Sequence, residues 1–228
     1  MLLMRAVGIS NAVFLSVMTS TSFPPQPAEL FSIVVLPQPR TKSEISIEDC
    51  LLRRRSVRSY REAALSLTDI SQLLWAAAGI TAEGHLRTAP SAGALYPLEV
   101  YLVASNVDGL APALYHYRPK QHELVLVKEG ELRRELAQAA LDQDCIRQAA
   151  AAILFAVAYA RTSEKYGQRA TRYVHMEVGR AAQNVCLQAT ALGLGTVTVG
   201  AFDDKELKRV TKLPREHEPV YLMPIGRE

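Results

Sequence analysis

Three stretches of the chain gather side chains whose types and spacing suit a chemical task. The first is Arg53-Arg54-Arg55-Ser56-Val57-Arg58, with Arg61 close behind. A guanidinium is a planar fork of donors that fits phosphate oxygens, and a serine hydroxyl adds one more. Four arginines in six residues repel one another unless an anion or acidic groups lie among them. Three readings fit: a solvated helix end, where cations complement the C-terminal dipole, a phosphate-bearing ligand, and a nucleic-acid patch. The second stretch runs from Arg87 to Pro97 and contains Pro90-Ser91-Ala92-Gly93. Its small side chains would let backbone approach a flat ligand closely; the competing reading is a plain connecting loop. The third is Lys165-Tyr166, followed by Gly167, Arg169, Arg172, Tyr173 and Glu177. Lys and Tyr are both high-pKa proton donors, and a nearby cation favours tyrosinate. Neighbours in sequence do not face each other on a helix. A cooperating pair therefore needs a loop or a helix start, and a plain surface pair is the simpler reading. Glu177 and Arg180, three apart, fit an ordinary surface ion pair.

Other patterns exclude more than they support. In Gly193-Leu194-Gly195-Thr196-Val197-Thr198-Val199-Gly200 the glycines end a helix and enter a strand. A dinucleotide fingerprint needs strand, glycines, then helix, and a P-loop needs Gly-Lys-Ser/Thr, so neither applies. Gly193 or Gly195 reads as a helix C-cap, and Gly200, after the strand, as the ligand-facing glycine. The five histidines lack metal spacing and read as surface or structural residues; no metal site is expected. No GxSxG elbow is present. Cys50, Cys145 and Cys186 form no CxxC pair and read as small buried residues.

The elements that must hold these residues are also written in the pattern. Ser46 is a good N-cap, with Glu48 and Asp49 in the first turn, and predicts a helix to about Arg55. Thr68 is read as the cap of a second helix, in which Ile70, Leu73, Leu74 and Ala77 share a face and which Gly79 stops. Glu99 to Ala104, Ala113 to Tyr117 and Glu123 to Val127 alternate as half-buried strands do. Glu131 to Leu141 reads as a helix, and the apolar run Ala150 to Ala158 as a strand buried on both faces. A long helix follows from Arg172 to Leu192, then a strand Thr196 to Val199, a helix Asp203 to Thr211 and a last strand Val220 to Ile225. The class is α+β, with a mixed, mainly antiparallel sheet flanked by helices.

With 49% hydrophobic and 21% charged residues the chain is not a disordered one, and +3 of net charge over 228 residues leaves no global field for nucleic acid. No apolar run reaches the roughly 18 residues of a spanning helix, which argues against integral membrane insertion. Residues 1–32 read as a leader or linker. Arg5 precedes an interrupted apolar stretch to Met18, which resembles an export signal, and prolines from Pro24 onward mark extended chain. Phe31 to Leu36 predicts an edge strand, residues 33–228 the folded domain, and the expected setting is cytoplasmic.

Taken in order, these stretches resemble the nitroreductase-like flavoenzymes, and more closely the SagB-type dehydrogenases, which are azoline oxidases of peptide biosynthesis. The matching segments are Arg54-Arg55-Ser56-Val57-Arg58-Ser59-Tyr60, Leu73 to Thr81, Ala89 to Pro97, Lys165-Tyr166-Gly167, Arg172-Tyr173, Glu177-Val178-Gly179 and Ala182-Gln183-Asn184. The resemblance implies an FMN-binding fold and a homodimer. It implies that Arg54, Arg55, Ser56 and Arg58 hold the FMN phosphate and ribityl chain, and that Pro90, Ser91, Ala92 and Gly93 reach the flavin from the partner subunit. Gly200 would lie beside the ring. Arg227 is the basic residue beyond Pro224-Ile225-Gly226 that could make a late phosphate contact. Lys165 and Tyr166 would assist proton removal as catalytic residues, and the long helix would pack on its counterpart. The implied activity is hydride transfer between flavin N5 and a small-molecule or peptide azoline. A nicotinamide-dependent nitro or quinone reductase and a non-catalytic flavin-binding partner subunit are the alternatives.

Overall fold

The computed structural model describes residues 32–83 and 86–228. The leader reading, Phe31 and His85 lie outside these residues. In chain order the elements are β1 (Ile33–Val35), α1 (Ile47–Arg53), α2 (Leu67–Ala78), β2 (Ile80–Ala82), β3 (Leu86–Arg87), β4 (Leu98–Ala104), β5 (Ala113–Arg118), β6 (Glu123–Glu129), α3 (Arg133–Ala139), α4 (Asp144–Gln148), β7 (Ala151–Val157), α5 (Tyr159–Tyr166), α6 (Ala170–Ala191), β8 (Leu194–Thr196), α7 (Asp204–Thr211) and β9 (Glu218–Arg227). A sheet of seven strands runs β1-β6-β5-β4-β7-β9-β8, and β2 and β3 form a separate ribbon. Every strand pair in the large sheet is antiparallel. Among the described residues parallel pairing is confined to the isolated Leu65–Val107 bridge. The class is the α+β one that the pattern predicts.

Period-two alternation lets one strand serve two cores. Val100, Leu102, Ile153 and Phe155 point to the layer of α2 and α6, where Leu73, Leu74, Val174, Val178 and Val185 wait. Tyr101, Val103, Leu114 and Leu154 point the other way, against Leu136, Ile146, Leu207 and Val210 of α3, α4 and α7. Strand β7 is buried at all seven positions, which is why its sequence is continuously apolar.

Local signals set the helix ends. The Ser46 hydroxyl accepts from Asp49 N–H and starts α1. Helix α2 starts at Ser66, whose hydroxyl accepts from Asp69 N–H at 3.0 Å, and not at Thr68. The earlier cap brings Leu67 against the core. Gly79 ends α2 as read. Helix α6 spans 22 residues, and Asp203 caps α7 with two backbone N–H groups. The Thr196–Val199 strand is shifted: pairing covers Leu194–Thr196, and Val199 makes only an isolated bridge to Leu222.

Candidate functional site

The arginine run leaves α1 at Arg54, whose backbone is extended rather than helical. From there it is strapped to the β8–β9 edge. Val57 N–H donates to Thr196 O at 3.0 Å and Arg61 N–H to Arg227 O at 2.9 Å. The Tyr60 hydroxyl reaches the carbonyl oxygens of Val57 and Pro224, and burial pushes its pKa well up. Gly195 permits this approach: a Cβ there would lie 2.6 Å from Val57 Cγ1. The strap places Arg54 and Ser56 on a cavity of about 210 Å³, with Gly179, Ala182, Gln183 and Cys186 of α6 and Thr196, Val197, Thr198 and Tyr221. The Thr196 hydroxyl is buried and has no hydrogen-bond partner. Cys186 stays a neutral thiol, because burial raises its pKa against the opposing charge of Arg54.

The other basic candidates go elsewhere. Arg55 Nη1 donates to Leu52 O at 2.9 Å and Arg54 O at 2.8 Å, so for this residue the helix-end reading describes the geometry. Arg53 pairs with Asp49 at 3.2 Å. Arg58 is exposed and its charge bears on Tyr60 and Cys145. Arg227 does not line the cavity. Its Nη2 donates to Asp69 Oδ2 at 3.1 Å and its Nε to Ala64 O at 3.3 Å, tying β9 to α2. Gly200 is exposed, with its Cα side towards the Tyr221 ring that lines the cavity.

The second stretch forms a tight loop. Its short 3-10 turn covers Ala92–Ala94, and the Ser91 hydroxyl accepts from Tyr96 N–H at 2.9 Å. Pro90 is exposed at its start and Ala92 half-buried within it. Gly93, Ala94 and Tyr96 all have positive φ (65°, 54° and 47°), which is rare outside glycine and marks stored backbone strain. This loop meets the third stretch within the same chain. A Cβ on Gly93 would lie 2.8 Å from Tyr166 Oη and 3.1 Å from Lys165 Nζ. Lys165 and Tyr166 occupy the last turn of α5, not a helix start, and the chain turns there at Gly167 with φ 52°. Lys165 Nζ is 5.6 Å from the Tyr166 ring centroid, and Tyr173 meets that ring edge-on at 5.1 Å.

Glu177 corrects the surface-pair expectation. It is 3% exposed on the inward face of α6 and makes no ion pair with Arg180. Burial raises its carboxyl pKa, opposed by the Ser91 hydroxyl and by the charges of Arg87 and Arg180. The signal was present: Glu177 shares the buried stripe of Val174, Val178, Ala181 and Val185. Glu177 thus supports the loop from beneath, while Asn184 Nδ2 holds Thr88 O at 3.2 Å.

Two sets of residues result. Arg54, Ser56 and Thr196 share a cavity that Gly200 borders through Tyr221. Ser91, Gly93, Lys165, Tyr166 and Glu177 share a second locus, and none of them lines that cavity. Among the described residues no group of three or more His, Cys, Asp or Glu is placed to hold a metal ion. His116, His122, His175 and His217 are hydrogen-bonded to Glu99, Tyr117, Tyr159 and Tyr101, and the three cysteines are free and buried. No helix of the described residues is long and apolar enough to cross a membrane.

Residues 51–227 match the nitroreductase family, and the chain belongs to it. It is 48% identical over 185 residues to MJ1384 of Methanocaldococcus jannaschii, a protein with a nitroreductase name; the match covers 81% of this chain and 92% of that one. It is 29% identical over 157 residues to McbC of Escherichia coli, named as the microcin B17-processing protein. That match covers 65% of this chain and 57% of McbC. A solved nitroreductase-named protein of Ralstonia eutropha superposes at a TM-score of 0.76 with 29% identity, covering 86% of this chain and 89% of that one. The fold is the nitroreductase fold, that of a family of flavin-type oxidoreductases.

Proposed function

We propose that this chain is an FMN-dependent oxidoreductase of the SagB type, oxidising azoline rings to azoles. The observation that carries the cofactor is the cavity of Arg54 and Ser56, in which the buried Thr196 hydroxyl has no partner. A buried orphan hydroxyl beside a guanidinium and two further hydroxyls, those of Ser56 and Thr198, is a donor set that suits a phosphate ester. FMN, when bound, would supply two-electron acceptance at its N5 position. Arg54, Ser56 and Thr196 would hold its phosphate, and Gly200 would leave room beside the ring.

Lys165 and Tyr166 would take the ring proton while the neighbouring C–H bond gives up its hydride. Positioning of this kind is what a packed loop can provide: Gly93 leaves no space for a side chain between itself and the pair. The microcin-processing name of McbC supports the azoline reading. The two separate residue sets support a homodimer in which one chain's Pro90–Gly93 loop completes the other chain's arginine cavity. Ile47, Leu51 and Leu52 of α1 and Met176 of α6 are exposed apolar side chains that such pairing would cover. A cytoplasmic setting goes with this reading.

The test is a visible spectrum. Purified protein mixed with FMN and desalted should retain about one flavin per chain; protein that stays colourless ends the reading. The 48% identity to MJ1384 favours a second reading, a nicotinamide-dependent nitro or quinone reductase. Rapid bleaching of the bound flavin by NADPH would select it.

A further inference from the structure

A second cavity, of about 550 Å³, opens beside the strained loop, between the β2–β3 ribbon and the β5–β6 turn. Its walls include Arg87, Ala94, Tyr96, Glu99, His116 and Tyr117. Arg87 is the unexplained member. Its Nε is buried with no hydrogen-bond partner, and no described residue forms an ion pair with its guanidinium. Glu99 and Glu177 are the carboxylates whose charge reaches it. Glu99 is already engaged: His116 Nε2 lies 2.7 Å from its Oε2, and Arg161 pairs with its Oε1. Burial pushes Glu99 up, but the His116 and Arg161 hydrogen bonds and charges outweigh it and keep the carboxyl ionised. The Tyr96 ring covers one face of the Arg87 guanidinium at 4.3 Å. Its two terminal Nη groups, which make no hydrogen bond among the described residues, therefore remain as the recognition edge. Lys120 adds positive charge to the lining, where Arg118 is paired with Glu123. Glu99 and Glu177 act on Arg87 only through their charge, without an ion pair or hydrogen bond among the described residues, so its guanidinium keeps donors for an anion in the cavity.

We propose that this cavity is a carboxylate-binding subsite, in which Arg87 takes the acid group of an organic acid whose apolar body lies against Tyr117, Ile80 and Pro119. A planar guanidinium edge suits a planar carboxylate bidentately, and the volume suits a compact organic molecule. The subsite adjoins the Lys165–Tyr166 locus through three links. Ala94 and Tyr96 line it while their neighbour Gly93 touches the pair. Arg161, one helical turn before Lys165, donates to Tyr96 O at 3.0 Å and pairs with Glu99. That the acid is the oxidised substrate rests on the flavoenzyme reading; the subsite itself does not.

The test is isothermal titration of FMN-saturated protein at low salt with phenylacetate and with phenylacetamide. The acid should bind at least about tenfold tighter than the amide. Arg87→Gln should erase that preference while the flavin spectrum stays unchanged, and inorganic phosphate should compete poorly against the acid. Equal affinities for acid and amide overturn the proposal in the wild-type protein alone, whatever the variant does. So does an acid affinity that Arg87→Gln leaves unchanged. The same titration without FMN separates the two claims. Protein that stays colourless after FMN is added and desalted away, yet keeps the acid preference, retains the subsite and loses the flavoenzyme reading; yellow protein without the preference does the reverse.

Discussion

Gly93 lies so close to Tyr166 that a single added methyl carbon would stand 2.8 Å from the phenol oxygen. Its φ of 65° is a further barrier to any side chain there. Gly93→Ala should therefore displace Tyr166 and Lys165 of its own chain. The expected result is turnover per bound flavin reduced by about 10²-fold, the cost of a misplacement near 1 Å. Single-turnover reduction of the bound flavin, measured beside its absorbance, checks this. A variant as fast as wild type would remove the loop from the chemistry.

Removing the pair itself makes a second prediction. Lys165→Ala or Tyr166→Phe should lower turnover of an azoline substrate by roughly 10²- to 10⁴-fold, the usual worth of a general base. The yellow colour should persist, because neither residue lines the Arg54 cavity. If the enzyme is instead a nicotinamide-dependent reductase, flavin reduction by NADPH should survive both substitutions.

The four arginines that look alike in sequence should behave differently. Arg54 faces the cavity, whereas Arg55 spends its donors on two carbonyl oxygens at the end of α1. Arg54→Gln should weaken FMN retention by about ten- to a hundredfold, the value of one or two charge-assisted hydrogen bonds. Arg55→Gln should change it less than about twofold. Equilibrium dialysis with FMN distinguishes the two, and equal losses would contradict the geometry.

That divergence shows what the sequence could carry. Composition and order were enough to mark Arg53 to Arg58, because clustered like charge is visible in one dimension. Which guanidinium faces a ligand depends on where α1 stops and how Val57 is pinned to Thr196, and that is a tertiary fact. Strand β7 and helix α6 were legible because burial imposes a clear pattern on long elements. Helix α5 was not, since Thr162 is its one buried residue. Helix α4, at five residues, and the two-strand ribbon are too short to show a period. Thr68 reads as the cap of α2 from sequence, but Ser66, two residues earlier, holds it, because the earlier start brings Leu67 against the core. Glu177 was readable from its place in an apolar stripe, but a carboxylate three residues from an arginine invites the surface reading first.

Arg227 supplies a third contrast. Its guanidinium joins Asp69, whose side chain is 18% exposed, and so links the end of β9 to the first turn of α2. Asp69→Asn should cost about 1–2 kcal/mol, because a partly buried charge-assisted hydrogen bond is lost. For a domain of this size that is a fall in Tm of about 2–8 °C. FMN retention should not move. A loss of flavin with no loss of stability would return Arg227 to the phosphate site.

The sign of the pH dependence at Glu177 is opposite to that of most carboxylates. Burial raises its folded-state pKa above the unfolded value near 4.3. The folded protein then holds the proton more tightly than the unfolded one. Glu177 thus favours folding at low pH, and this contribution is lost as pH rises from about 4.3 through the raised folded value. Where it is ionised, the buried carboxylate is a net cost. Glu177→Gln keeps the shape without the charge and should raise stability at pH 7.5. The gain should shrink towards zero near pH 4. His122 and His217 are shifted the other way: burial depresses both, so each makes the protein less stable as pH falls below about 6.5. Their effect is common to variant and wild type and cancels in the difference at each pH. Urea midpoints for the two proteins between pH 4 and 8 therefore isolate Glu177, and a variant less stable than wild type at pH 7.5 would show that its charge is held by Arg87 and Arg180 more strongly than burial penalises it.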